Sequence, residues 1–138
     1  MHETRIRVRF DEVDQASVVH HPRYLIYFEV ARTAYLNQLG IPYADVMRSG
    51  THLAVIEVGV RYMKPARYDE ELTVLTRCTE SGGARVGLSY EVRRGADLLA
   101  TGFTRLASID TSGRAKRMPG DLRAVFDAAL VASQEEAS

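Results

Sequence analysis

Between Pro22 and Leu39 the sequence carries one long helical repeat that is apolar on nearly every side. At about 100° per residue, Tyr24, Tyr27, Phe28, Ala31, Ala34, Tyr35 and Leu39 fall on one broad stripe. The opposite side mixes Glu29, Arg32, Thr33 and Asn37 with Leu25, Ile26, Val30 and Leu36. Pro22 suits a first helical position, where its missing N–H is not needed. Gly40, with Pro42 just beyond, predicts the C-terminal stop. A helix this apolar has to be covered on more than one face.

What surrounds that helix reads as strands. Residues 4–10 alternate, with Ile6, Val8 and Phe10 on one side and Arg5, Arg7 and Arg9 on the other, which predicts a half-buried strand with a basic, solvated face. A short helix is expected over Tyr43 to Arg48. Strands then follow at 53–63, 71–79, 85–93 and 98–109, the first with Ala54, Ile56, Val58, Val60 and Tyr62 on one face and ended by Pro65. Ser81-Gly82-Gly83 and Arg94-Gly95-Ala96-Asp97 are hairpin turns, so the sheet should be antiparallel. Asp121 is expected to cap a last helix through Leu122, Val125, Phe126 and Leu130. Five strands and one long helix make an α+β, two-layer arrangement. One helix cannot cover both faces of five strands, so the apolar residues left outside predict a partner subunit bound through a symmetric interface. A chain of 138 residues suits one domain, expected over 1–133, with 134–138 as a frayed tail.

Composition removes several classes of function. Lys plus Arg equals Asp plus Glu at 18 each, which takes away the electrostatic footprint of a nucleic-acid binder. Cys78 is the one cysteine, excluding an intramolecular disulfide and a Cys-rich metal cluster; it reads as a small strand residue. No stretch approaches the roughly 20 apolar residues of a membrane span, and MHETRIRVRF is not of signal-peptide type, so a cytoplasmic protein is expected. The chain has no G-x-S-x-G, H-E-x-x-H, P-loop or G-x-G-x-x-G, and neither a metal nor a cofactor is expected.

The segment with most chemical potential is FDEVDQASVVHHPRY, residues 10–24. Asp11 and Glu12 read as solvated loop carboxylates. Asp14 is balanced between a turn aspartate and a reactive one. It precedes a helix start, where the first N–H groups lack internal partners and meet the positive end of the helix dipole. A carbonyl oxygen placed there would be polarised and its developing negative charge stabilised. A carboxylate within reach can attack that carbonyl or take a proton from water. A thioester suits such a spare site, because its thiolate leaves with a pKa near 8.5, as cysteine's does, and needs little acid assistance. Around Pro65, Arg61, Lys64 and Arg67 read either as a solvated cluster or as phosphate contacts.

VRFDEVDQASVVHHPRYLIYFEVAR (8–32) resembles the opening of hotdog-fold acyl-CoA thioesterases of the 4-hydroxybenzoyl-CoA thioesterase type, in particular the branch associated with the Tol-Pal envelope system. The pattern is Asp14, then Val18-Val19, then His21 and Tyr24, then Phe28-Glu29 and Ala31-Arg32. VRYMKPARYDEEL (60–72) resembles a second family block. The resemblance implies a curved five-stranded antiparallel sheet wrapped around the long helix, assembled into homodimers or homotetramers with active sites between subunits. It implies an acyl-CoA substrate, with an acyl carrier protein as the other possible donor. Asp14 matches the catalytic carboxylate, as nucleophile or general base, and His21 the helix-start position whose N–H polarises the thioester. Tyr24 matches a position near the acyl pocket, and Lys64 and Arg67 are the expected phosphate contacts. The family commonly has glycine where this chain has Ala16-Ser17, and many members have tyrosine where Phe10 stands. The competing expectation is a non-catalytic hotdog module that binds acyl-CoA as a sensor or scaffold, since a fold alone does not fix function.

Overall fold

The computed structural model describes residues 1–137. The elements are β1 (His2–Arg7), a 3-10 turn (Phe10–Glu12), α1 (Arg23–Gln38), α2 (Tyr43–Arg48), β2 (His52–Tyr62), β3 (Glu71–Gly82), β4 (Arg85–Arg94), β5 (Asp97–Ile109) and α3 (Gly120–Ala137). The strands form a five-stranded sheet in the order β1-β3-β4-β5-β2, with every neighbouring pair antiparallel.

Register decides which side chains meet α1. Thr76 lies opposite Tyr90, and Tyr90 opposite Gly102. Leu72, Val74, Val86, Leu88, Val92, Ala100 and Leu106 share that face by the alternation of strand side chains and are all buried. Against them α1 buries Tyr24, Tyr27, Phe28, Ala31, Tyr35 and Leu36. The Phe28 ring stacks on Tyr90 with centroids 4.4 Å apart. Burying each such side chain is worth roughly 1.5–3 kcal/mol, so this helix–sheet contact carries the core. Gly40 stops α1 as expected, at φ +82. The Gly40 N–H donates to the Asn37 carbonyl (3.1 Å) and the Ile41 N–H to the Leu36 carbonyl (3.0 Å), the paired bonds of a Schellman stop.

α3 covers the end of the same face beside the C-terminal half of α1, with Phe126 fully buried and the Cys78 N–H donating to Ser133 Oγ at 3.1 Å. Burial pushes the Cys78 thiol up to about 11. Burial also raises the hydroxyls of Tyr24, Tyr35 and Tyr90. Each of these groups holds its proton to higher pH in the fold than in the unfolded chain, where the thiol begins to ionise near pH 9. Above that pH the unfolded state holds fewer protons, so stability falls as pH rises, by up to about 1.4 kcal/mol per pH unit for each group. Urea midpoints taken at pH 8, 9, 10 and 11 are expected to decline throughout; a flat series would contradict the burial of these groups.

Several expectations need correcting. β1 ends at Arg7 rather than at residue 10, and Phe10 turns outward on the 3-10 turn, 77% exposed against Tyr68. Pro22 is the residue just outside α1 rather than its first, and Asp121 sits inside the first turn of α3 rather than at its cap. β2 slips register between Val55 and Glu57, so its alternation breaks at Ile56. α3 continues through 134–137, where a frayed tail was expected, and the chain's amino terminus pairs with Glu136. Ser138 lies outside the described residues.

The uncovered apolar residues do not cluster on the outer sheet face. There Arg105 bridges Glu57 (3.2 Å) and Glu80 (3.1 Å) in a polar surface. They lie instead on the flank of α1 (Leu25, Ile26 and Val30) and along the edge strand β2 (Val55, Ile56 and Val58).

Candidate active site at the start of the central helix

The chain reaches α1 through a small hairpin. Val13 bridges Val19, the Asp14 N–H donates to the Val18 carbonyl (2.9 Å), and the Ser17 N–H donates to the Asp14 carbonyl (2.9 Å). Ser17 takes a left-handed φ of 64. The side chain of Asp14 organises this turn: Oδ1 accepts the Ala16 N–H at 2.8 Å and the Val18 N–H at 3.4 Å. Asp14 is exposed. The second arm lies on the 66–67 backbone, through the Val19 N–H to the Ala66 carbonyl (2.8 Å) and a bridge between Val18 and Arg67.

Glu12 overturns its expectation. It is 9% exposed, and Oε1 accepts the Arg9 N–H at 2.7 Å and the Tyr27 hydroxyl at 3.2 Å. Burial and the adjacent carboxylate of Glu12 both raise the Tyr27 hydroxyl. The Glu12 carbonyl also accepts the His20 N–H at 2.9 Å, tying the hairpin to the helix start. Asp11, by contrast, is exposed beside Arg9, as expected.

An open pocket of about 250 Å³ adjoins this helix start, its walls including Val19, His21, Tyr24, Tyr62, Lys64 and Pro65. A larger open cleft of about 400 Å³ runs past Gly59, Arg61, Thr101 and Phe103, along the paired strands β2 and β5. The smaller pocket is the candidate site because it adjoins the main-chain donors at the start of α1. Among the described residues the His21 N–H has no hydrogen-bond acceptor. The Arg23 N–H closes onto the His20 carbonyl at 2.9 Å, whereas the Tyr24 N–H reaches the His21 carbonyl only at 3.4 Å. No acidic side chain occupies the first turn of α1 to neutralise these donors.

Of the expected site residues, His21, Tyr24 and Lys64 share this pocket, while Asp14 and Arg67 stand outside its lining on the adjoining hairpin and loop. Tyr24 is a core residue first, 2% exposed, its ring edge-on to Tyr27 (5.7 Å) and Tyr62 (5.1 Å). Lys64 sits at the rim with Nζ 3.3 Å from Asp97, whose carboxyl it holds below the usual range. Arg67 is exposed and its N–H donates to Glu70 Oε1 at 2.6 Å. Sequence reasoning missed Tyr62 as a site residue: it is the last residue of β2, and nothing local ties it to a helix start 41 positions earlier.

Residues 8–126 match the thioesterase-like superfamily. The acyl-CoA thioesterase YbgC of Haemophilus influenzae is 29% identical over 124 residues, 88% of this chain and 90% of that protein. YneP of Bacillus subtilis is 34% identical over 87 residues, a match spanning 63% of each chain. Among solved structures, the DHNA-CoA thioesterase of Staphylococcus aureus superposes with a TM-score of 0.91 at 29% identity, covering 97% of this chain and 93% of that one. TT1821 of Thermus thermophilus gives 0.88 at 38% identity, covering 93% and 96%. With that match over most of its length, and a five-stranded antiparallel sheet lying against the long helix, the chain belongs to the thioesterase-like superfamily of hotdog-fold thioester hydrolases.

Proposed function

We propose that this protein hydrolyses acyl-CoA thioesters to a free carboxylate and CoA, with water as the second substrate. The observation that carries this reading is the His21 N–H without an acceptor beside an aromatic-walled pocket with Lys64 at its rim. A thioester carbonyl accepting that N–H gains electrophilicity, and the positive end of the helix stabilises the charge that develops on its oxygen. Asp14 either attacks the thioester carbon itself, forming a mixed anhydride that water then opens, or takes a proton from the water that attacks; in both routes the C–S bond breaks and CoA leaves as the thiolate without an acid. Lys64 and Arg67 meet the phosphates of CoA, for which Lys64 exchanges its partner Asp97. The reaction belongs in the cytoplasm, where acyl-CoA is made and used. Relatives named as thioesterases give no support to the non-catalytic module.

The test is thiol release from aromatic, short-chain and long-chain acyl-CoAs, read with a coloured disulfide reagent. Cys78 is buried and stays silent in that assay. ATL3 of Arabidopsis thaliana, 29% identical over 129 residues, is named an acyl-acyl carrier protein thioesterase, so acyl carrier protein thioesters belong in the panel. Release above the uncatalysed rate from at least one donor is expected; none from any would overturn the reading.

The functional unit in this proposal is a homodimer, or a homotetramer built from two, with sites between subunits. Leu25, Ile26 and Val30, each more than 40% exposed, and the open edge of the 11-residue strand β2 are costly to leave in water. Ile26→Glu is expected to shift sedimentation toward the monomer, and an unchanged oligomer would place the interface elsewhere.

A further inference from the structure

We infer that Tyr62 is a positioning residue that keeps the helix-start donors free for substrate, an inference that rests on the thioesterase reading. The Tyr62 hydroxyl donates to the His21 carbonyl at 2.7 Å. That carbonyl is also the acceptor for the Tyr24 N–H, which lies 3.4 Å away, beyond the usual range for an N–H donor. The neighbouring Arg23 N–H, whose acceptor is not shared with a hydroxyl, closes to 2.9 Å. The hydroxyl therefore occupies the carbonyl that would otherwise draw in the Tyr24 N–H, and two adjacent donors, His21 N–H and Tyr24 N–H, are left for an oxyanion.

The placement of Tyr62 fits this role. It is the last residue of β2, paired with Ala100 on β5, so the sheet fixes its backbone. Its ring stands edge-on to Tyr24 at 5.1 Å and to the His21 imidazole at 6.4 Å, which aims the hydroxyl at the His21–Pro22 peptide. The helix start is thus held by a side chain 41 positions from His21 in sequence. A loose helix start would spend binding energy on ordering these donors in the transition state; a fixed one has them in place beforehand.

Tyr62→Phe keeps the ring and removes only the hydroxyl. The expected result is a fall in kcat of about tenfold, the most that one neutral hydrogen bond returns, with KM within about twofold and the melting temperature unchanged. The Tyr24 amide proton is expected to move downfield in the variant, as its bond to the freed His21 carbonyl shortens. That shift reads the contact without any turnover. An active wild type with an equally fast Tyr62→Phe overturns the inference and leaves the thioesterase reading intact. So does a lost activity accounted for by a lower melting temperature with the Tyr24 amide unmoved. A wild type inactive on every thioester overturns the parent reading and takes this role with it.

Discussion

Asp14→Asn is expected to lower kcat at least about a hundredfold on any acyl-CoA the protein hydrolyses, with little change in stability. The substitution isolates charge from structure. The hairpin uses Asp14 as an acceptor of the Ala16 and Val18 N–H groups through one oxygen, and an asparagine carbonyl can accept the same two bonds. The exposed side chain leaves no buried partner unsatisfied when its charge is removed. What asparagine cannot do is attack a thioester or hold a proton taken from water. Asp11→Asn serves as the control, since Asp11 is exposed, lies in the same segment and pairs with Arg9 at 3.6 Å; it should leave kcat within about twofold. Steady-state thiol release decides the matter, and equal rates for wild type and Asp14→Asn would remove Asp14 from the mechanism. Where the variant is impaired, single turnover of the wild type in labelled water bears on the route: a first product free of solvent oxygen identifies direct attack, with water opening the resulting anhydride at the Asp14 carboxyl carbon.

The parts of this fold that could be read from the sequence are those whose signals are local. α1 follows from its apolar stripe and from Gly40, and the hairpins follow from Gly82-Gly83 and Gly95, whose turns occur where expected. The inward faces of β3 and β4 follow from strict alternation. The failures are equally specific. Glu12 looked solvated because the hydroxyl that holds it, on Tyr27, comes 15 positions later and only after a hairpin has turned the chain back. Ile56 looked inward because a bulge is invisible to a period of two. Phe10 continued an alternation that the chain abandons at Arg7. The candidate site is mixed in the same way. Its helix-start members, His21 and Tyr24, lie in one continuous segment and could be named, whereas the rest of the pocket wall depends on the end of β2 arriving beside α1, a long-range event that no local pattern records.

Gly102→Ala is expected to be the most damaging single-methyl change in the chain. A Cβ at Gly102 would lie 2.5 Å from Cε2 and Cζ of Phe28 and 2.8 Å from the Gly59 carbonyl oxygen. Neither neighbour can retreat easily. Phe28 is fully buried and stacked on Tyr90 at 4.4 Å, so moving its ring moves α1 away from the sheet. The Gly59 oxygen is main chain in the adjoining strand, where Gly59 pairs with Phe103 beside Gly102. Overpacking of this kind costs about 1–3 kcal/mol, and a backbone clash combined with a locked ring puts the cost at the upper end. For a chain of this size that corresponds to a melting temperature lower by on the order of 10 °C. Two other glycines calibrate the result. Gly59→Ala meets Phe103 at 2.4 Å, but Phe103 is 38% exposed and can swing into solvent, so its effect should be smaller. Gly82→Ala has nothing within 4 Å and should be within about 0.5 kcal/mol of wild type. Thermal melts of the three variants should therefore rank Gly102 well below Gly59, and Gly59 below Gly82. Since Phe28 is one turn along α1 from Tyr24, a displaced ring also disturbs the helix start, and Gly102→Ala should lose turnover even at temperatures where it remains folded. If Gly102→Ala melts with the wild type, α1 does not lie against the sheet as closely as the stacked Phe28 and Tyr90 require.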